Sequence, residues 1–191
     1  MRAFLAAAML LLTAGAARAG MLLEADMAGI PVRLEVGARP DLVLAQVAGR
    51  DYRLDLGAAS VVTDGEQLPP GRPAPAPIGT LEPWSDGPLV AGYGTSYRVL
   101  IEGQKICGEA LVVPWMAGFT RPLTGALELL ERTLPALAPR ASQGCAPQGF
   151  AAYARDGFPL MIGDRQAPRF QVRLLRFDHY PAESAPAPAA P

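Results

Sequence analysis

Few side chains in this sequence could do chemistry. Its 191 residues include one histidine, His179, and two cysteines, Cys107 and Cys145. That is too little for most zinc sites and for a cysteine–histidine nucleophile with an orienting partner. His179 stands between Asp178 and Tyr180 and could act as base to a serine, but no serine sits in a G-x-S-x-G elbow. It reads more simply as a surface histidine. Asp26, Glu35, Asp41 and Asp51 alternate with apolar residues and suit the solvated face of a sheet; a pair of glycosidase acids is the alternative that sequence leaves open. Gly92-Tyr93-Gly94 is not followed by a helical pattern, which argues against a phosphate loop. The expectation is a protein that is not an enzyme, with no catalytic residues, no metal and no cofactor. Three aromatics remain, Trp84, Trp115 and Phe119. They are either core or the lip of an apolar cavity, and they are the candidate ligand-binding residues.

The start of the chain bears on what the cysteines do. Met1-Arg2 precedes an unbroken apolar run from Ala3 to Leu12, and Ala17-Arg18-Ala19 offers small residues where a signal peptidase reads, with Gly20 next. The run is shorter than the roughly 20 residues that cross a bilayer. Residues 1–19 are therefore expected to be a removed export signal, a retained anchor being the alternative. The mature protein is expected in the periplasm, soluble and without a membrane span. In an oxidising compartment two cysteines most often form one structural disulfide, here closing a 38-residue separation; redox chemistry or metal binding are the alternatives. A net charge of −1 excludes a general basic attraction to nucleic acid.

The elements that would position these residues follow from periodicity. Met21–Met27, Val32–Val36, Leu42–Val47 and Tyr52–Leu56 read as strands, with a hairpin turn at Ala48-Gly49-Arg50-Asp51. Asp55-Leu56-Gly57-Ala58 then reads as a strand end with a glycine turn. The D-[ST]-G-A loop of aspartic proteases has a hydroxyl where Leu56 stands, and a second aspartate would have to come from a dimer. From residue 63 to 92 the pattern is lost among Pro69, Pro70, Pro73, Pro75, Pro77, Pro83 and Pro88, so regular sheet is not expected there. Tyr97–Ile101 and Lys105–Val113 read as a hairpin turning at Gly103-Gln104. Leu123, Ala126, Leu127, Leu130, Leu134 and Leu137 then recur at three and four residues, one face of a helix, with Thr120 as N-cap and Pro122 in the first turn. Phe150–Ala154, a turn at Asp156-Gly157, Phe158–Ile162 and Arg169–Phe177 read as further strands. Residues 182–191, mostly Ala and Pro, read as a disordered tail. The fold class is thus α+β and mostly β. About eight strands form a strongly curved antiparallel sheet or incomplete barrel spanning residues 20–181, with one amphipathic helix packed on it.

This organisation resembles the periplasmic lipoprotein-carrier superfamily, with its export signal and open half-barrel holding helices on the hollow face. It is similar in particular to the uncharacterised single-domain proteins related to that carrier. The resemblance rests on Ile101-Glu102-Gly103-Gln104-Lys105-Ile106-Cys107, on a helix followed by a second cysteine, on Asp156-Gly157-Phe158-Pro159-Leu160, and on a last strand ending in Phe177 and Pro181. It covers about Tyr93 to Pro181, and the proline-rich excursion departs from it. It implies an apolar ligand, an acyl chain or a lipoprotein, held in the hollow of the sheet. A rival expectation is an accessory or structural subunit of an exported complex, contacting its partner through residues 63–92 or the tail. If Cys107 and Cys145 are joined, the bond pins the helix's C-terminal end. Opening of the hollow is then expected near Gly118, beside Trp115 and Phe119.

Overall fold

The computed structural model describes residues 18–69, 71–72, 78–90, 92–140, 145–163 and 168–180, by backbone alone at 18–19 and 178–180. Most of the expected export signal, the tail from 182, Pro181 and the glycine before Cys145 lie outside the described residues. Eleven strands run in chain order: β1 Arg18–Met27, β2 Ile30–Val36, β3 Leu42–Val47, β4 Arg50–Asp55, β5 Ser60–Thr63, β6 Glu66–Gln67, β7 Thr80–Asp86, β8 Ser96–Glu102, β9 Lys105–Val113, β10 Phe158–Gly163 and β11 Pro168–Tyr180. Between β9 and β10 lie the helices α1, Arg121–Thr133, and α2, Phe150–Tyr153.

All eleven strands form one antiparallel sheet, ordered β6-β5-β4-β3-β2-β1-β11-β10-β9-β8-β7, which does not close into a barrel. The chain starts in the middle and meanders out to the β6 edge. It then crosses to the opposite edge at β7 and meanders back until β11 pairs with β1. The expected half-barrel-like sheet with a helix on it is what the chain forms. Among the described residues, no helix is long and apolar enough to cross a membrane.

Alternation decides which face is inside. Val32, Leu34 and Val36 on β2 and Val43, Ala45 and Val47 on β3 point to the core, while Arg33 and Gln46 between them point out. α1 lies across β2, β3 and β5. Its stripe of Leu123, Ala126, Leu127 and Leu130 is fully buried, and Phe150, Phe158 and Phe170 pack around one another beside it. Side chains therefore occupy the hollow. Each buried leucine or phenylalanine contributes roughly 1.5–3 kcal/mol relative to exposure.

The fold corrects several expectations. Phe150–Tyr153 is a short helix, not a strand, so the Asp156-Gly157 turn joins a helix to β10 and closes no hairpin. Its first amide donates to a carboxylate of α1, a tertiary partner that a four-residue window does not contain. The stretch from 63 to 92 does carry sheet, namely β6 and β7. Pro83 is tolerated because β7 is an end strand, and its register with β8 shifts between Pro83 and Ser85. β5 and β6 are too short to show a period; together with β7 they raise the strand number among the described residues from about eight to eleven. α1 ends at Thr133 because Leu134 precedes a proline and is extended (φ −103°, ψ 107°); Leu137 is buried from a following 3-10 turn. Thr120 does stand at the N-cap, but its hydroxyl donates back to the Met116 carbonyl at 2.8 Å and leaves the helix amides uncapped.

The crossing from β6 to β7 runs over the C-terminal end of α1. The Arg72 amide donates to the Arg132 carbonyl at 3.2 Å, and Arg132 Nε returns a bond to the Arg72 carbonyl at 2.8 Å. A Cβ on Gly71 would lie 2.7 Å from the Arg132 backbone, so only glycine allows this approach. Further along, the Ile78 amide donates to Gln148 Oε1 at 3.3 Å and Arg155 Nη1 donates to the Gly79 carbonyl at 3.0 Å.

Candidate functional site

The two ends of α1 differ in chemistry. At the N-terminal end, β9 turns through Pro114–Met116 into the helix, and the loop from β7 to β8 lies alongside. Tyr93 from that loop stacks on Trp115 with ring centroids 4.8 Å apart, and Phe119 meets the edge of Trp115 at 6.0 Å. These rings are half exposed or more: Tyr93 50%, Trp115 47% and Phe119 66%. Val90 is joined to Tyr93 by a pair of backbone hydrogen bonds, and Leu89 beside it is also exposed. Residues 87–97 and 110–120 contain no charged side chain. The result is a patch of exposed aromatic rings carried on two segments without charged side chains, which is unusual on a solvent-facing turn.

Two of the three expected ligand-binding residues, Trp115 and Phe119, thus stand together. Trp84 lies on edge strand β7, strongly exposed at the register shift, and among the described residues no ring contact joins it to the others. Tyr93, not expected from the sequence, completes the cluster. Its signal was Gly92-Tyr93-Gly94: an aromatic between two glycines, carried on a turn.

The C-terminal end of α1 is polar and buried. Glu131, with its side chain 5% exposed, accepts the Phe150 amide at Oε2 (2.7 Å) and faces Arg169 of β11 across 3.5 Å. Among the described residues, its Oε1 and Arg169 Nη2 have no hydrogen-bond partner. Arg169 Nη1 donates to the Gln148 carbonyl at 2.8 Å, and its guanidinium lies 5.8 Å from the Tyr153 ring centroid. Burial pushes the Glu131 carboxyl up to about 7, against the opposing pulls of Arg169 and the Phe150 amide. Burial likewise raises the Tyr153 phenol, so that side chain stays neutral. Sequence reasoning missed Glu131, although it sits four residues after Leu127 on the buried stripe.

The disulfide forms as expected: Cys107 of β9 is bonded to Cys145, with Cα atoms 5.7 Å apart. It ties β9 to the segment leading into α2. Glu102 is the third member of a group whose ligand atoms all lie within 4.8 Å of one another. Because the sulfurs are bonded to each other, neither is a thiolate, and the group offers a metal one carboxylate.

The outward acids are each committed to a neighbour. Asp26 pairs with Arg173 at 2.8 Å, Glu35 with Arg33 at 2.7 Å and Asp41 with Arg39 at 3.0 Å, while Asp51 accepts from Gln46 at 3.0 Å. In the Asp55–Ala58 turn, Asp55 Oδ1 accepts the Ala58 amide at 2.9 Å, a local turn bond. His179 pairs with Ala19 along the backbone, and its side chain is outside the described residues. A groove of about 490 Å³ on the outer face is lined by charged and polar side chains, Arg33, Glu35, Gln46 and Asp51, together with the apolar surface of Leu44 and Tyr52. No protein family's sequence pattern matches the chain, and no curated protein sequence does.

Proposed function

We propose that this is a non-enzymatic exported protein that binds an apolar ligand of the acyl-chain type, admitted at the N-terminal end of α1. The observation that carries the reading is the exposed Tyr93–Trp115–Phe119 cluster, carried on segments that contain no charged side chain. An acyl chain laid on it would bury aromatic surface at little side-chain entropy cost. Further space would have to come from the packed hollow. The attachments of α1 favour its N-terminal end for that movement: the other end is fastened by Glu131, by Arg132 and through the disulfide-bonded segment, while Thr120 leaves the N-terminal amides uncapped.

The test is native mass spectrometry of the chain purified from a bacterial cell envelope, followed by titration with palmitate while tryptophan fluorescence is recorded. A bound lipid-sized mass and a saturable shift are expected. Trp115→Ala should weaken binding about tenfold, from the loss of about 1.5 kcal/mol of aromatic contact. No bound mass and no shift in the intact chain would sink the reading.

A second reading, a subunit of an exported complex contacted through residues 63–92, draws on the exposed Trp84 of edge strand β7 and the exposed Leu89 of the loop that follows it. In-cell photo-cross-linking from position 84 separates the two. A single abundant protein adduct favours the subunit, and none favours the carrier.

A further inference from the structure

We propose that Glu131, Arg169 and the Phe150 amide form a proton-operated latch at the junction of α1, α2 and β11. With a proton on Glu131 the junction is held, and loss of that proton loosens it. The latch goes beyond the ligand reading and does not depend on it.

Three observations place the latch. One carboxylate reaches two other elements: Oε2 takes the first amide of α2, and Oε1 faces the cation of β11. The site is closed to water, and a Cβ on Gly149 would lie 3.1 Å from Oε2, so the chain comes down directly onto the carboxyl. The ion pair is imperfect, because at 3.5 Å neither Oε1 nor Arg169 Nη2 makes a hydrogen bond. A buried pair of that geometry does not offset the desolvation of its charges.

The groups facing Glu131 decide the sign. Arg169 from β11 and the Phe150 amide from α2 favour the charged form. Glu128, one turn back on α1, disfavours it, and burial raises the Glu128 carboxyl as well, against the pull of Arg132. Tyr153 from α2 is neutral. Burial outweighs the favourable contacts, so the closed junction holds its proton up to about pH 7, whereas an opened, hydrated carboxyl would release it near 4.5. Opening therefore becomes easier as pH rises from about 4.5 to about 7, about tenfold per pH unit, and levels off above that.

Amide hydrogen exchange on the full chain reads this directly. The opening constant at Phe150, corrected for intrinsic exchange, should rise about 40-fold between pH 5 and pH 7. Glu131→Gln should flatten the profile, since the carboxamide does not titrate. Arg169→Met should move the carboxyl's titration midpoint upward, because the cation holds it down. A wild-type profile that is flat, or a Glu131→Gln profile as steep as wild type, overturns the latch. Should Glu131→Gln fail to fold, the wild-type Phe150 amide resonance decides. A titration midpoint near 7 supports the latch, and a resonance that does not move over pH 5 to 8 refutes it.

Discussion

The two halves of the sheet are built by different means. In the first meander, β1 to β6, all five strand pairs keep an unbroken register. Three of its hairpins use the same two-residue device, Ala28-Gly29, Ala48-Gly49 and Asp64-Gly65, with positive φ at both residues. That turn twists in the sense of the strands and fixes register locally. In the second meander, β7 to β11, each of the four pairs contains a register shift. The seam between β1 and β11 has another, at Glu24/Ala25. The second half also carries the disulfide, α2 and the three in-strand prolines that follow β2, namely Pro83, Pro159 and Pro168. Bulges bend strands and sharpen their twist, so this half takes its shape from irregularities that tertiary contacts must hold in place. α1 joins the two regimes: it rests on β2, β3 and β5 and is fastened by Glu131 to β11 and α2. One antiparallel sheet can thus be specified by turn chemistry at one end and by long-range contacts at the other.

The harshest way to break that contrast is to remove the covalent contact. Cys107→Ser with Cys145→Ser should cost about 4 kcal/mol, by the loop-closure entropy of a 38-residue separation. Urea unfolding measures it. Hydrogen exchange in the same variant should show loss of protection concentrated in β8 to β10 and α2. Equal loss in β2 to β4 would mean that the two halves do not differ in what holds them.

A glycine substitution in each half sharpens the point. Gly157 packs where β9 ends: a Cβ there would lie 2.5 Å from the Val113 carbonyl oxygen and 2.7 Å from Pro114 Cα, and backbone cannot rotate aside. Gly49, at φ +81°, has nothing within 4 Å of such a Cβ. Gly157→Ala should therefore cost about 3 kcal/mol as overpacking, and Gly49→Ala about 1 kcal/mol as backbone strain alone. Equal losses in thermal unfolding would remove the distinction between a tertiary and a local role.

The same contrast explains what was legible in the sequence. β2 and β3 could be read from alternation, because each buries one face and exposes the other, whereas β8 and β9 were legible as a hairpin around Gly103-Gln104 even though each buries two adjacent residues, Val99 and Leu100 in β8 and Val112 and Val113 in β9. Cys107–Cys145 followed from the expectation of export and the count of cysteines. β7 was hidden because edge position, which excuses Pro83, is a property of the finished sheet. α2 was hidden because its four residues give no period and its first amide is satisfied from α1. The candidate site divides likewise. Trp115 and Phe119 were visible as aromatics near a turn, whereas Tyr93 reaches them only once the β7–β8 loop has folded beside β9. Glu131 looked like one polar residue on an amphipathic helix; its burial depends on β11 and α2 closing over it.

The smallest effect tests the regular half at its weakest point. Ala48 is exposed and held at φ +51°, a conformation that costs an alanine about 1 kcal/mol because its Cβ crowds the following carbonyl. Asparagine tolerates it, and Asn-Gly is the preferred pair for this turn. The Ala48 amide donates to the Pro31 carbonyl at 3.0 Å, a backbone bond that any side chain there leaves intact. Ala48→Asn should therefore stabilise the chain by up to about 1 kcal/mol, measured as a higher urea midpoint at unchanged m-value. If register in the first meander is set locally, the gain should survive in the disulfide-free variant, because residue 48 lies in the β3–β4 hairpin and four strands stand between β3 and β9 in the sheet. A gain that vanishes there would show that the local turn and the distant bond stabilise one cooperative unit in a single way, and the two regimes would collapse into one.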